Sequence, residues 1–238
     1  MNHDTEKFVQ DLKKLGIELT YEQIKKFLNY YEVMIASNKV MNLTAITDFD
    51  EVLEKHFLDS LSLCQIYDMN GSIRVIDLGT GAGFPGIPLK IAFPDIDLVL
   101  VDSLGKRVRF LDKVISSLNL TKVEALHARA EELAKNMQYR EQFDLCVSRA
   151  VANLSTLSEY CIPFVKEGGS FISYKSGEIE EEVEAARKAV FLLGGKIEDV
   201  YKFNLCGQGR SFVIIRKEKK TPKAYPRKAG IPTKSPLA

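Results

Sequence analysis

The chain has 238 residues, of which 45% are hydrophobic and 27% are charged, a composition typical of folded globular proteins and not of disordered ones. No run approaches the roughly 20 apolar residues that a membrane-spanning helix needs, and the first residues lack the apolar core of a signal peptide, so we expect a cytoplasmic protein. The four cysteines lie far apart without a CxxC pair. This spacing gives no support for a zinc or redox site, and we expect no bound metal.

Charge is distributed unevenly along the chain. The net charge is +1, but residues 216–238 carry eight Lys or Arg and one acid, giving +7, while the other 215 residues carry 25 basic and 31 acidic side chains, giving −6. A basic segment attached to an acidic body favours a polyanionic partner.

Residues 1–70 are predicted to form an N-terminal helical subdomain. Thr20 and Gln23 have the spacing of a capping box, and the apolar residues after them recur at helical spacing. A second helix start is predicted at Asp48, with Glu51 three residues later.

From residue 71 to residue 216 the pattern changes to short, β-branched runs separated by helical stretches. Strands that alternate with helices predict a parallel sheet covered on both faces. The seven predicted strands are 73–78, 98–101, 123–126, 143–147, 170–174, 196–203 and 211–215.

The last two predicted strands are joined by only residues 204–210. A parallel crossover needs a dozen or more residues, so the seventh strand must run antiparallel. The predicted fold is therefore α/β: a doubly wound, seven-stranded sheet with an antiparallel last strand, which resembles the Rossmann-like class I methyltransferase fold. It carries an N-terminal helical extension and, at 217–238, a basic extended tail.

The first predicted strand runs into a glycine turn, IRVIDLGTGAGFPG, at residues 73–86. Gly79, Gly81 and Gly83 allow a tight turn and a close approach of backbone to ligand, and the helix start beyond them offers free N–H groups. Asp77 precedes the first glycine by two residues, which suits a cofactor that carries an ammonium group. These features favour S-adenosylmethionine as the cofactor.

The same segment also satisfies GxGxxG, through Gly81, Gly83 and Gly86. An NAD-dependent Rossmann oxidoreductase is therefore the alternative enzyme. Pro85 removes an N–H where a pyrophosphate would want one, and a reversed last strand is unusual in nicotinamide-binding sheets. A non-catalytic RNA-binding assembly factor that kept the fold is a third hypothesis.

A carboxylate ends the second predicted strand. Asp102 stands 23 positions after Gly79, near the spacing at which an acid meets the ribose hydroxyls of a cofactor. The alternative is that Asp102 only caps the helix that begins near Ser103. We predict both residues in the cofactor site.

Six segments together resemble one bacterial family: NLTAI (42–46), HFLDSL (56–61), DLGTGAGFPGIPLKI (77–91), VDSLGKRVRFL (101–111), ARAEE (128–132) and VSRAVA (147–152). The chain is similar over nearly its whole length to the small-subunit rRNA guanine-N7 methyltransferases, formerly called glucose-inhibited division protein B. The resemblance implies methylation of one guanine in a 16S rRNA loop near the decoding region.

The resemblance also implies cofactor contacts at Gly79, Phe84, Ala130, Glu131 and Arg149. Phe84 would form an apolar wall, and the Ala130–Glu131 pair would face the adenine edge. Glu131 has a second interpretation, as an acid favoured at a helix start by the helix dipole.

Guanine N7 carries no proton, so its methylation requires no general base, and catalysis depends on aligning the reacting atoms. Arg149 is the candidate catalytic residue, in a positioning role. Its planar fork can hold a guanine edge, a phosphate or the cofactor carboxylate, or it can form an ion pair with Asp144 or Glu131. His56 lies on the apolar side of its predicted helix, which favours a buried interface histidine over a catalytic one.

Five residues are candidate RNA contacts. Lys106 and Arg107 open a predicted helix, where basic side chains oppose the dipole, so they meet either RNA phosphates or solvent. Tyr225, Arg227 and Lys228 lie in the tail, which we expect to be extended or partly disordered when free, with Tyr225 stacking on a base. Removing the tail is expected to weaken RNA binding and to leave cofactor affinity unchanged. The expected partner is 16S rRNA, the small ribosomal subunit or an assembly intermediate, bound by a monomer.

Overall fold

The computed structural model describes residues 4–150 and 152–237. They form one seven-stranded mixed sheet in the order β3-β2-β1-β4-β5-β7-β6. The strands are β1 (Arg74–Leu78), β2 (Asp97–Asp102), β3 (Val123–His127), β4 (Phe143–Ser148), β5 (Val165–Ser176), β6 (Gly195–Leu205) and β7 (Gln208–Lys217).

The seventh strand is antiparallel to both of its neighbours, β5 and β6, and the pairs among β1 to β5 are parallel. The predicted doubly wound sheet with a reversed last strand is confirmed. β5 begins at Val165, five residues earlier than predicted. The sequence KEGG at 166–169 resembles a turn, but Gly168 has a φ of +82°, and the register shifts between Phe143 and Leu145 on β4, so the strand continues through a bulge.

Helices cover both faces of the sheet. Their bounds are α1 (Glu6–Lys14), α2 (Tyr21–Met41), α3 (Phe49–Val52), a π-helical turn (Leu53–Leu58), α4 (Asp59–Leu61), α5 (Gly86–Ala92), α6 (Gly105–Ser117), α7 (Ala130–Leu133), α8 (Leu154–Cys161), α9 (Glu180–Leu192) and α10 (Ile231–Lys234). Two 3₁₀ turns, Ser62–Gln65 and Ile162–Phe164, complete the helical segments.

Both predicted helix starts in the N-terminal region are present. Thr20 caps α2 through a complete capping box, because its hydroxyl accepts from the Gln23 amide while the Gln23 side chain accepts from the Thr20 amide. The Asp48 carboxylate accepts from the Glu51 amide at 3.1 Å. The helix that follows widens into the π-helical turn, a distortion that often occurs at functional sites.

The N-terminal helices share a hydrophobic core with one face of the sheet. Phe27, Tyr30 and Phe57 are completely buried in the same cluster as Val75 of β1 and Leu100 of β2. A second cluster, which includes Ile76 and Val99, packs against α8 and α9 on the other face. Adjacent strand residues alternate between these two cores, as expected for a sheet buried on both sides.

The C-terminal segment is folded against the protein, which corrects the expectation of an extended or disordered tail. The Arg140 guanidinium donates to the carbonyl oxygens of Thr221 and Tyr225. Pro226 and Pro232 are buried. Composition predicted disorder because the segment contains many prolines and cations. The side chains that hold the segment, such as Arg140, lie far away in sequence.

In the two described stretches, 4–150 and 152–237, no helix has the length and apolar character needed to cross a bilayer. The same residues contain no group of three or more His, Cys, Asp or Glu side chains arranged to hold a metal ion.

Candidate active site

The glycine turn connects β1 to α5 at the carboxyl end of the sheet, beside the point where the strand order reverses between β1 and β4. Ligands of open α/β sheets bind at such a switch point. Gly79, Gly81 and Gly83 have φ values of +72°, +63° and +100°. The Gly79 and Thr80 amides donate to the Val101 carbonyl oxygen, so the turn is held against β2.

Asp77 is completely buried beneath this turn. Its Oδ2 accepts from the Gly86 amide at 2.8 Å and from the Thr80 hydroxyl at 2.7 Å. Burial raises the pKa of Asp77 to about 6, against the opposing effect of these hydrogen bonds and of Arg149. Oδ2 thus fixes the turn, while the buried Oδ1 has no hydrogen-bond partner among the described residues. A role of Asp77 in binding a cofactor ammonium group stays a prediction.

A cavity of about 260 Å³ opens at the carboxyl ends of β1 to β4. We call it the cofactor pocket. It brings together Gly79, Asp102, Ser103, Ala130 and Glu131 of the predicted cofactor residues. A Cβ at Gly79 would lie 3.2 Å from the Ala150 methyl group, so a side chain at position 79 would narrow the pocket between β1 and β4.

Asp102 is held rigidly at the rim of the cofactor pocket. Its Oδ1 accepts from the Leu104 amide at 2.8 Å, and its Oδ2 accepts from the Gly81 amide at 3.0 Å and from Arg107 at 3.3 Å. The turn and the second strand are thereby fixed together. Oδ2 already accepts from two donors, whereas Oδ1 accepts from one and has lone-pair capacity for another, so Asp102 fits a ligand with hydroxyl groups as well as its capping role.

Glu131 is almost completely buried, and its Oε1 accepts from the Gly230 amide at 3.1 Å. Gly230 and Thr233 also line the cofactor pocket. The tail, expected from the sequence to affect RNA binding and not cofactor affinity, therefore also borders the cofactor pocket. The sequence did not indicate that Gly230 lies at the pocket, because Glu131 and Gly230 are 99 positions apart.

Arg149 and Phe84 lie outside the cofactor pocket, on the side of the N-terminal helices. The Arg149 guanidinium is 4.9 Å from the centre of the Phe84 ring and donates to Asp59 Oδ2 at 2.8 Å. The suggested ion pair of Arg149 with Asp144 or Glu131 is wrong. Asp144 pairs with Lys166, and Glu131 accepts a hydrogen bond from the Gly230 amide of the tail. Phe84 forms an apolar wall for Arg149 and for the neighbouring His56 ring, which stacks on it at 4.5 Å.

Asp59 is the central residue that the sequence analysis missed as a site residue. It is 4% exposed, and its two oxygens accept from two arginines, Oδ2 from Arg149 and Oδ1 from Arg210 at 2.7 Å. The only signal was its place in the HFLDSL segment, because nothing in its own neighbourhood indicates partners 90 and 151 positions away.

His56 adjoins this cluster. Its Nε2 lies 2.9 Å from the Thr44 hydroxyl of the NLTAI segment. Burial, reinforced by the charge of Arg149, lowers the pKa of His56 to about 4. The imidazole is therefore neutral at pH 7, as an interface histidine would be.

A larger cavity, about 690 Å³, adjoins the cofactor pocket, and we call it the acceptor cleft. The two cavities share Ala150 and Ala152 in their walls. The acceptor cleft has four cationic side chains, two carboxylates and an aromatic wall. These are Lys55, Arg149, Lys175, Arg210, Asp59, Glu182, Tyr174, Phe203 and Phe212.

The five predicted RNA contacts differ in their exposure and in their partners within the protein. Lys106 and Lys228 are exposed, and Lys106 also donates to the Met41 carbonyl at 3.1 Å. Arg107 pairs with Asp102, and Arg227 is held by the completely buried Glu159. Tyr225 is half-buried against the second core cluster. The expectation that Arg227 meets RNA phosphates is therefore corrected, since burial of Glu159 requires its guanidinium.

Known structures share the fold. TrmN from Thermus thermophilus superimposes with a TM-score of 0.53 at 15% identity, over 67% of this chain and 48% of that one. TYW2 of M. jannaschii, determined in complex with AdoMet, gives a TM-score of 0.51 at 16% identity, over 62% of this chain and 70% of that one. At such low identity these similarities establish the fold alone.

Sequence comparisons are more specific. The chain is 50% identical over 236 residues to the ribosomal RNA small subunit methyltransferase G of Lachnoclostridium phytofermentans, with 98% of each chain covered. It is 49% identical over 240 residues to the protein of the same name from Desulforamulus reducens, with 100% of each covered. These relatives do not favour an oxidoreductase or a non-catalytic factor. A family model described as rRNA small subunit methyltransferase G matches residues 23–212, and the chain therefore belongs to this family.

Proposed function

We propose that this protein transfers the methyl group of S-adenosylmethionine to N7 of one guanine in 16S rRNA. The observation that carries the proposal is the pair of cavities that meet at Ala150 and Ala152, on the carboxyl side of the switch point between β1 and β4. One cavity has the side chains for a nucleoside cofactor, and the other has those for a nucleotide.

The residues of the cofactor pocket fit S-adenosylmethionine. Asp102 offers carboxylate oxygens suited to ribose hydroxyls, and Gly79 leaves the space that a Cβ would fill. Glu131 presents a buried carboxylate whose Oε1 is fixed by Gly230. The cofactor supplies an electrophilic methyl carbon on a sulfonium sulfur, and the protein supplies its position.

The acceptor cleft suits a purine nucleotide. Its lining side chains carry four positive and two negative charges, a net +2 that attracts a phosphodiester. Phe203, partly exposed and stacked on the buried Phe212, offers aromatic surface of the kind on which unstacked bases pack. Arg149 stands between the cleft and Phe84, held by Asp59, where its remaining donors can orient the target nucleotide.

The chemistry at N7 agrees with the titratable groups present. N7 has a free lone pair, so no side chain has to remove a proton. His56 has its pKa lowered to about 4, and Asp59 is occupied by two arginines. The residues facing the cleft therefore act by binding and alignment, which can account for large rate effects.

The test is methyl transfer in vitro. The purified protein, labelled S-adenosylmethionine and unmodified 16S rRNA or small subunits should yield 7-methylguanosine, detected by mass spectrometry of the digested RNA. Arg149→Ala should remain folded and lose about a hundredfold in rate, because the nucleotide is no longer aligned. Lys196→Ala is the control, since Lys196 is exposed at the amino end of β6.

Three outcomes would count against the proposal. A methylated nucleoside other than 7-methylguanosine would reject the N7 assignment, and wild-type rates in Arg149→Ala would remove the role of that residue. Thermal stabilisation by NAD and not by S-adenosylhomocysteine would reject the cofactor.

In the producing organism, gene deletion should remove one 7-methylguanosine from small-subunit rRNA. We further propose that the protein acts as a cytoplasmic monomer, on 16S rRNA, the small subunit or an assembly intermediate.

A further inference from the structure

The chain after β7 begins at the amino end of the parallel strands, passes α8 and reaches the cofactor pocket. We call residues 218–237 the C-terminal strap. Its first residues, Glu218 and Lys219, donate their amides to the Gly194 carbonyl at 2.9 Å. The Thr221 hydroxyl then donates to the Leu193 carbonyl at 2.8 Å, and the Thr221 amide donates to Glu141 at 2.7 Å. The buried ammonium group of Lys217, at the end of β7, donates to the Ile162 carbonyl.

A buried ion pair fixes the middle of the strap. Glu159 on α8 has a completely buried side chain, and Arg227 approaches it with Nη2 at 2.7 Å from Oε2 and Nε at 3.0 Å from Oε1. The Arg227 amide also donates to Oε1 at 2.7 Å. A buried carboxylate is tolerated only when paired, and a two-point guanidinium contact fixes orientation as well as position. The strap is therefore seated in one register.

Beyond Arg227 the strap borders the cofactor pocket. Gly230 and Thr233 line that cavity, and the Gly230 amide donates to Glu131. Thr233 also shares a hydrogen bond of 2.8 Å with the hydroxyl of Tyr160, another residue that lines the cavity. The Pro232 carbonyl accepts from Thr156 at 3.1 Å. One end of the cavity is thus walled by residues that come from the last tenth of the chain.

We propose that the C-terminal strap is part of the cofactor-binding site: it closes one wall of the cofactor pocket and sets how tightly and how long the cofactor is held. The inference rests on the proposed cofactor. Gly230 fixes the orientation of the Glu131 carboxylate, so loss of the strap both opens the wall and frees a side chain of the site. Beyond residue 228 the strap is held by single hydrogen bonds at Gly230, Pro232 and Thr233, whereas Arg227 forms a two-point ion pair, so this end can open for cofactor exchange while the ion pair remains.

The decisive experiment compares three chains by calorimetric titration with S-adenosylhomocysteine. The full chain is the reference. A chain ending at Lys228 keeps the Arg227–Glu159 pair and removes Gly230 and Thr233. A chain ending at Ser235 is the matched control, because it is also shortened but keeps the pocket wall and the Ser235 carbonyl that accepts from Arg227.

We expect the dissociation constant of the chain ending at Lys228 to rise about tenfold, mostly through faster dissociation measured by stopped flow. The chain ending at Ser235 should stay within about twofold of the full chain. Equal affinities for all three chains would overturn the role of the strap. Failure of the full chain to bind S-adenosylhomocysteine would instead reject the proposed function.

A second variant keeps the inference testable if the shorter chain does not fold. Thr156→Val with Thr233→Ala removes both side-chain hydrogen bonds between α8 and the end of the strap without shortening the chain. We expect its dissociation rate for S-adenosylhomocysteine to rise about threefold with a melting temperature close to wild type. An unchanged dissociation rate would overturn the proposal.

Discussion

At the scale of single residues, the site depends on buried charges that hold one another. Asp59 takes one arginine on each oxygen, from β7 and from the end of β4. Removing one partner of such a cluster leaves an uncompensated buried charge. The cluster therefore fixes Arg149 in the wall of the acceptor cleft more rigidly than a solvated arginine would be held.

His56 gives this cluster a predicted pH dependence. Its pKa in the folded protein is lowered to about 4 from 6.5, first by burial and then by Arg149. The unfolded chain therefore takes up the proton first, so the stabilising contribution is complete above pH 6.5 and is lost as the pH falls towards 4. The loss should reach about 3 kcal/mol in the free energy of unfolding.

Urea unfolding of wild type and His56→Gln between pH 7 and pH 4.5 measures this effect. The variant should lose less stability than wild type over the same interval. His127→Gln is the matched control, because that imidazole is exposed. Parallel pH profiles for wild type and His56→Gln would show that His56 does not titrate as expected.

At the scale of elements, the turn between β1 and α5 combines two different requirements for glycine. Gly81 has a φ of +63° with nothing within 4 Å of an added Cβ. At Gly86 an added Cβ would overlap Leu100 and lie 2.9 Å from Asp77 Oδ2. The first position needs glycine for its backbone conformation, and the second needs it for close packing of α5 on the sheet.

The two alanine variants should therefore differ. Gly81→Ala should cost about 1 kcal/mol, the strain of a left-handed residue, while Gly86→Ala should cost about 3 kcal/mol through overpacking against a rigid strand. Chemical denaturation with a common m-value would measure both. The packing argument is refuted if Gly86→Ala is no less stable than Gly81→Ala.

At the scale of the whole molecule, the N-terminal helices and the sheet share one hydrophobic core, and we expect them to unfold as a single cooperative structure. The completely buried Tyr30 donates to the Ala82 carbonyl in the glycine turn. A second hydrogen bond joins the two regions, because the Tyr174 hydroxyl of β5 donates to the Ser60 carbonyl at 2.8 Å. The N-terminal helices therefore hold the glycine turn and the wall of the acceptor cleft at Tyr174 in place.

A chain of residues 71–238 should consequently fail to form a native state. It would expose Ile87 and Leu111, which are completely buried by contacts in the shared core. We expect weak near-ultraviolet circular dichroism and no cooperative thermal transition, while the full chain unfolds in one step. A sharp transition of the shortened chain near the wild-type melting temperature would show that the extension is an independent domain.

Several features of the fold and site followed from sequence alone, because each depends on neighbours along the chain. Short β-branched runs separated by helical stretches located all seven strands, and the short 204–210 connection required the reversed strand that the sheet shows. Capping at Thr20 and Asp48 was readable for the same reason. Of the residues predicted from the glycine spacing and the acid at the strand end, Gly79 and Asp102 line the cofactor pocket, while Gly81 and Gly83 do not.

Only the tertiary structure decided which distant groups meet. Asp77 lies buried beneath the turn, where its Oδ2 accepts from Thr80 and Gly86, and Arg149 pairs with Asp59 instead of the acids suggested for it. The tail, which composition predicted to be free, became a wall of the cofactor pocket because Glu159, buried 68 positions earlier, needs Arg227. Sequence patterns report the local backbone and the buried face of an element, whereas pairing of buried charges is fixed by desolvation in the assembled core.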